Sequence, residues 1–176
     1  MESLALPNSK TANEIKIPFV DLKRQYFLLK EETLKNIDNI LSSGNYILGE
    51  VVEHFEKKLA EYLGCQYVLS VANGTDAITL VLKSLNIGFD DEVIVPTNSF
   101  IATAAAVVAA GATPVFADVK EDLNIDVLKL ESLITAKTKA IIPVHLTGRP
   151  AEMDKIMEIA KHYELFVVED AAQSIG

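Results

Sequence analysis

Cysteine is almost missing from this chain. Cys65 is the only one in 176 residues, which excludes a disulfide framework and a zinc site built on cysteines. It sits in LGCQYVL among apolar neighbours, as a small core or near-core residue would. Clustered positive charge is missing as well. Sixteen Lys and Arg stand against 25 Asp and Glu, for a formal net charge of −9, and Lys57-Lys58 is the only adjacent lysine pair. That distribution speaks against a general nucleic-acid binder, because phosphate contacts need grouped Lys and Arg. No apolar run is long enough to cross a bilayer: the most apolar, 100–112, is short and is diluted by Thr103 and Gly111. The first stretch, MESLALPNSKTANEIK, has no basic segment followed by a long apolar one, so no secretory leader is expected and a cytoplasmic location is the simple reading. Neither G-x-G-x-x-G nor G-x-x-x-x-G-K-[ST] occurs, which removes the support for a dinucleotide-binding Rossmann domain or a P-loop. His54, His145 and His162 show no metal-ligand spacing, and no metal site is expected.

What is present is a core. The hydrophobic fraction is 49% and the mean hydropathy +0.23, enough for one packed domain or the larger part of one. Residues 1–16 are polar, aperiodic and expected to form a flexible tail. Leu22, Tyr26, Leu29, Thr33, Ile37, Ile40 and Leu41 recur at three- and four-residue steps and predict a helix over about 22–42. A second helix is expected over 50–63, with Gly64 as its stop. From Gln66 the rhythm alternates. Strands are expected at 67–72, 91–96, 113–119, 139–146 and 165–170, with helices after 73 to about 85, at 100–111, 127–134 and 151–163. The last three strands begin near 113, 139 and 165, a step of 26 residues that suits successive strand–helix units. Apolar strands of this kind belong to a sheet covered on both faces, so the expected fold is a three-layer α/β domain.

Three places carry chemistry, each with a plain structural alternative. Gly74-Thr75-Asp76 follows a strand and opens a helix, where free N–H groups and the helix dipole suit a phosphate; an ordinary capped turn reads the same way. Phe100 follows the second strand, where an aromatic ring can stack on a flat ligand or simply begin an apolar core helix. FVVEDAAQSIG (166–176) ends a strand in Glu169 and Asp170, with Gln173 three residues on. A carboxylate there needs a partner, and it either meets a ligand or caps a helix after the strand. His145 ends the fourth strand at the same edge without a defined role. A phosphate cradle, an aromatic and a carboxylate at the carboxyl edge of one sheet would together suit a flat, phosphorylated, cationic ring, which describes pyridoxal 5'-phosphate.

IPFVDLKRQY, SGNYILGEVVEHFEKKLAEYLG, VANGTDAITLVLKSL, DEVIVPTNSFIATAAAVVAAGATPVFADV, TKAIIPVHLTGRPAEMD and VVEDAAQSIG run in one order over residues 17–176. In these stretches the chain resembles the DegT/DnrJ/EryC1/StrS nucleotide-sugar aminotransferases, of fold-type I, the aspartate aminotransferase-like architecture. The resemblance implies that residues 17–176 are the N-terminal part of the large, pyridoxal phosphate-binding domain, with a C-terminal remainder and small domain to follow. It implies that Gly74 and Thr75 hold the cofactor phosphate, that Phe100 stacks on one ring face with Ala172 against the other, that Asp170 pairs with the ring nitrogen and that Gln173 reaches the phenolic oxygen. His145 lies in PVHLTG, with Thr147 where an aromatic is common in the family. The Schiff-base lysine is expected beyond Gly176, since Lys161 precedes the last strand, so the chain as given is expected to be inactive alone.

The activity implied is transfer of an amino group, typically from glutamate, to a keto group on a nucleotide-linked sugar, by an enzyme that is a homodimer when full length. A sugar dehydratase on the same scaffold is the near alternative, and a non-catalytic α/β interaction module is the alternative from another class.

Overall fold

The computed structural model describes residues 17–175; the tail expected over 1–16 lies outside them. The chain divides into two units, residues 1–55 and 56–176. In the first, helix α1 spans Leu22–Ser43. Asp21 caps it by accepting from the Arg24 N–H (3.0 Å), and Gly44 closes it at φ 72°, a conformation open to glycine at little cost. Its predicted apolar stripe, with Leu22, Leu29 and Leu41, runs along this helix. Helix α2, Glu50–Leu63, carries the chain into the second unit.

The expected strand over 67–72 does not form. Tyr67 and Leu69 are each about 80% exposed, and the main tie of this segment is the Ser70 N–H to the Glu56 carboxylate (2.6 Å). Strand propensity needs a neighbour to pair with, because the stabilisation lies in the ladder and in cross-strand packing rather than in the backbone alone. Among the described residues, no strand runs beside this segment.

Beyond it the alternation holds. Helix α3 is Gly74–Ser84, strand β1 Glu92–Pro96, helix α4 Ile101–Ala110, strand β2 Thr113–Ala117, helix α5 Val127–Leu133, strand β3 Thr138–Ile141, helix α6 Met153–His162 and strand β4 Phe166–Val167. The four strands are all parallel, in the order β2-β1-β3-β4. Strands β3 and β4 are shorter than the apolar runs that predict them. Pro143 has no N–H to donate, and past it the two runs are joined only by the isolated bridge between Val144 and Asp170.

Alternation along the strands divides the core in two. Val93 and Val95 of β1 pack with Ile78 and Leu82 of α3 and Ala106 and Val107 of α4. Ile94, between them, packs on the other face with Leu130 of α5 and Ile156 of α6. Helices therefore cover both faces, which makes three layers, as expected for a parallel sheet. From β1 the chain passes through α4 to β2 at one edge. It then returns through α5 to place β3 on the other side of β1. The crevice between the carboxyl ends of β1 and β3 is thus a topological switch point, the place where open α/β sheets hold ligands.

An ion cluster joins the end of β2 to the start of α6. Lys120 bonds to Glu152, Lys155 pairs with the same carboxylate (2.6 Å), and Asp122 lies 3.7 Å from Lys120. The hydrogen bond from Lys120, followed by that from Lys155, holds the Glu152 carboxyl down at about 2, against an ordinary 4.5. A lowered carboxylate pKa stabilises the fold above the unfolded value and loses that contribution as pH falls through the folded one. The melting temperature should therefore fall between pH 4.5 and 2, and Lys120→Met should make that fall shallower in parallel thermal scans. Equal slopes in the two proteins would show that the pair contributes nothing.

Candidate functional site

The carboxyl edge gathers three segments. At α3, Asn73 is extended and caps the helix. Its Oδ1 accepts from the Asp76 N–H (2.9 Å), its Nδ2 donates to Asp76 Oδ2 (3.0 Å), and its carbonyl accepts from the Ala77 N–H (3.0 Å). The Asn73 side chain takes up one orphan donor, the Asp76 N–H, and leaves the amides of Gly74 and Thr75 pointing out of the helix with no acceptor among the described residues. A methyl group built on Gly74 would meet nothing within 4 Å, so packing within the chain does not require glycine there. The space beside it is open cleft.

Phe100 caps α4 in an extended conformation (φ −66°, ψ 143°) and is 74% exposed. The alternative of a core phenylalanine is therefore wrong. What begins the buried face of α4 instead is Thr103, whose hydroxyl is paired with that of Ser99 (2.8 Å). The backbone of Asp170 is held on both sides: its N–H donates to the Pro143 carbonyl (2.9 Å), and its carbonyl accepts from the His145 N–H (3.1 Å). Its Oδ1 accepts from the Ala172 N–H (3.2 Å), which folds residues 171–174 into a turn closed by the Ser174 N–H and the Ala171 carbonyl (3.0 Å). No helix follows for these acids to cap among the described residues.

Gly74, Thr75, Phe100, Asp170, Ala172 and Gln173 all line one cleft of about 610 Å³, within the range of small-molecule sites. Its described lining holds two neighbouring acids, Glu169 and Asp170, and neither lysine nor arginine. A ligand with a cationic end suits the Asp170 side, while an anionic end would be met at α3 by amide dipoles and the Thr75 hydroxyl. Lys161 lies elsewhere, in an open depression between α6 and β4.

His145 and Glu169, left without roles by the sequence, prove to be partners. His145 is 3% exposed, with Nε2 2.6 Å from Glu169 Oε1 and Nδ1 accepting from the Ala151 N–H (3.1 Å). The signal was the histidine ending one strand and the Glu-Asp ending another. Only the parallel register, Val144 beside Asp170, brings them together.

Next to them the chain turns tightly at Leu146–Gly148. Thr147 sits at φ 70°, a region unfavourable for a β-branched residue, and Gly148 at φ 79°. A Cβ on Gly148 would lie 3.0 Å from the Gln173 carbonyl oxygen. Gly148→Ala should therefore cost about 1–2 kcal/mol in urea unfolding through the left-handed backbone alone. It should also shift the Gln173 amide resonance; an unshifted resonance would mean that the turn and residue 173 are not in contact.

Comparison with known proteins agrees with this geometry. The profile of the DegT/DnrJ/EryC1/StrS aminotransferase family matches residues 28–176. The chain is 48% identical over 163 residues to dTDP-3-amino-3,6-dideoxy-alpha-D-galactopyranose transaminase of Aneurinibacillus thermoaerophilus, covering 91% of this chain and 44% of that protein. It is 45% identical over 169 residues to dTDP-3-amino-3,4,6-trideoxy-alpha-D-glucose transaminase of Streptomyces venezuelae, covering 96% and 45%. The chain thus spans less than half the length of these curated relatives. Among solved structures, NtdA of Bacillus subtilis, with bound cofactor PMP, superposes with a TM-score of 0.88 at 40% identity, covering 96% of this chain and 39% of that one. Streptomyces venezuelae DesV superposes equally well, with a TM-score of 0.88 at 46% identity and coverage of 91% and 43%. The alternating α/β order, the three-layer sheet with its cleft at the switch point and these matches have one reading: the chain belongs to the DegT/DnrJ/EryC1/StrS aminotransferase family.

Proposed function

We propose that these residues form the cofactor-binding part of a pyridoxal phosphate-dependent aminotransferase that aminates a keto group on a nucleotide-linked sugar, with glutamate as the amino donor. The observation that carries the reading is the meeting of Gly74-Thr75, Phe100 and Asp170, from three separate segments, on one cleft. Relatives named as transaminases of dTDP-linked sugars support the substrate class. The donor set fits the cofactor. Two free amides and a hydroxyl suit its phosphate, an exposed phenyl ring suits a ring face, and a half-buried carboxylate suits a protonated ring nitrogen.

When bound, pyridoxal phosphate supplies an electron-accepting ring for the carbanion chemistry of amino transfer. The chain's own part is to bind and orient. Gly74 and Thr75 would hold the phosphate, Phe100 and Ala172 would enclose the ring, and Gln173 would meet the phenolic oxygen. Asp170 would keep the ring nitrogen protonated, which is what makes the ring an effective acceptor. No lysine lines the cleft among the described residues, so the base that moves the substrate proton belongs, in this proposal, to a part of the enzyme beyond these residues. The working form is proposed to be a cytoplasmic homodimer.

The test uses pyridoxamine phosphate, which binds without a lysine. It should perturb its own absorbance and raise the melting temperature of the chain, whereas unphosphorylated pyridoxamine should do neither at the same concentration. A folded chain indifferent to both would refute the cofactor reading and favour a non-catalytic module.

A further inference from the structure

We propose that His145 and Glu169 are a positioning pair that fixes Asp170 at the edge of the cleft and so governs the ring-nitrogen end of the site. The relevance to the cofactor rests on the function proposed above; the pair itself rests on geometry. The first observation is the state of the imidazole. Nδ1 accepts from the Ala151 N–H (3.1 Å), so the ring hydrogen sits on Nε2, which donates to Glu169 Oε1 (2.6 Å). Both ring nitrogens are engaged and the residue is 3% exposed, so this histidine is not free to exchange protons with a substrate.

The second observation is how short the backbone ladder at the strand end is. Strand β4 is only Phe166–Val167, and beyond it the segment is tied to the last residue of β3 and the run after it by three backbone bonds: Val168 N–H to the Ile141 carbonyl (3.0 Å), Asp170 N–H to the Pro143 carbonyl (2.9 Å) and His145 N–H to the Asp170 carbonyl (3.1 Å). A ladder this short opens locally more readily than the core. The side-chain tie from Glu169 to His145 adds a bond that reaches across. It is anchored on its far side by Ala151, which is 6% exposed and part of the core under α6. A third point concerns what removal would leave. Without the Glu169 carboxylate, the Nε2–H would be a buried donor with no partner, which drives the ring to move or the segment to open. Either change is passed to the residue next in the chain, Asp170.

The test has a ligand-free arm and a ligand arm, both on the full 176-residue chain. In the first, Glu169→Ala should speed amide hydrogen exchange at Ala172 and His145, the two N–H groups bonded to Asp170, by about tenfold. Exchange at Ile94 and Ile142 in the core should be unchanged. Glu169→Gln, whose amide oxygen still accepts from Nε2–H, should stay within about twofold of the parent. No acceleration in the alanine variant, or equal damage in the glutamine variant, overturns the pair.

In the ligand arm, Glu169→Ala should weaken pyridoxamine phosphate binding by about fivefold, and by less than about twofold when Asp170 is already alanine. Equal losses in both backgrounds would show that Glu169 acts independently of Asp170, which also overturns the proposal. Asp170→Ala alone reports on the cofactor reading. If it leaves binding unchanged, that reading fails, and the exchange rates by themselves decide whether the pair holds Asp170.

Discussion

Asp170→Ala should weaken pyridoxamine phosphate binding by about 10- to 100-fold, the equivalent of losing a hydrogen bond to a charged group worth roughly 1.5–3 kcal/mol. The carboxylate is partly buried, carries one internal hydrogen bond at Oδ1, and lines the same cleft as Phe100 and Gly74. The fold should survive the change, because the two bonds that fix residue 170 to Pro143 and His145 are made by its backbone. Asp170→Asn separates charge from shape. Its side-chain oxygen still accepts from the Ala172 N–H, yet it offers no negative charge to a protonated ring nitrogen. If charge is what matters, the asparagine variant should lose most of what the alanine variant loses. Absorbance titrations of the three proteins read this directly. An asparagine variant that binds as well as the parent would show that Asp170 meets a neutral group, and would remove the pyridinium from the account.

The second large effect is on stability. Leu82→Ala should destabilise the chain by about 2–5 kcal/mol, read as a lower urea midpoint at unchanged slope. Leu82 is fully buried where α3 meets the sheet, in the cluster that holds Val93, Val95, Val107 and Ile142. Truncation removes the transfer energy of the lost methyls and leaves a cavity that a strand-backed site cannot readily close. Leu128 of α5 is the matched control: it is 83% exposed, and its truncation to alanine should stay within about 0.5 kcal/mol. Similar costs for the two leucines would mean that α3 does not pack on the sheet as described. The site would then lose its phosphate cradle, since α3 carries Gly74 and Thr75 on its first turn.

Legibility in the sequence varies with the range of the interaction that fixes each feature. The helices are readable within two or three residues at each end, because their periodicity and caps are local: Gly64, the expected stop, directly follows the last residue of α2. The expectation of a strand at 67–72 fails for the converse reason. Tyr67, Val68, Leu69 and Val71 are strand formers, but a strand is a relation between two segments, and composition reports only one of them. Phe100 shows a related limit. Its position before an apolar helix suits a core residue as well as an exposed one, and only packing leaves it 74% exposed at the cleft.

By itself the sequence determined the α/β alternation, the order of the helices and the three places where chemistry gathers. Gly74-Thr75 opens a helix, Phe100 follows a strand and Asp170 ends an apolar run, and each of those facts is written in a few consecutive residues. The tertiary structure decided the rest. The parallel order β2-β1-β3-β4 makes the switch point that brings residues 74, 100 and 170 onto one cleft. The pairing of Val144 with Asp170 brings His145 against Glu169, 24 residues away in the chain. Neither follows from local pattern, because strand order and register are set by which apolar faces are buried together, a choice the whole core makes at once.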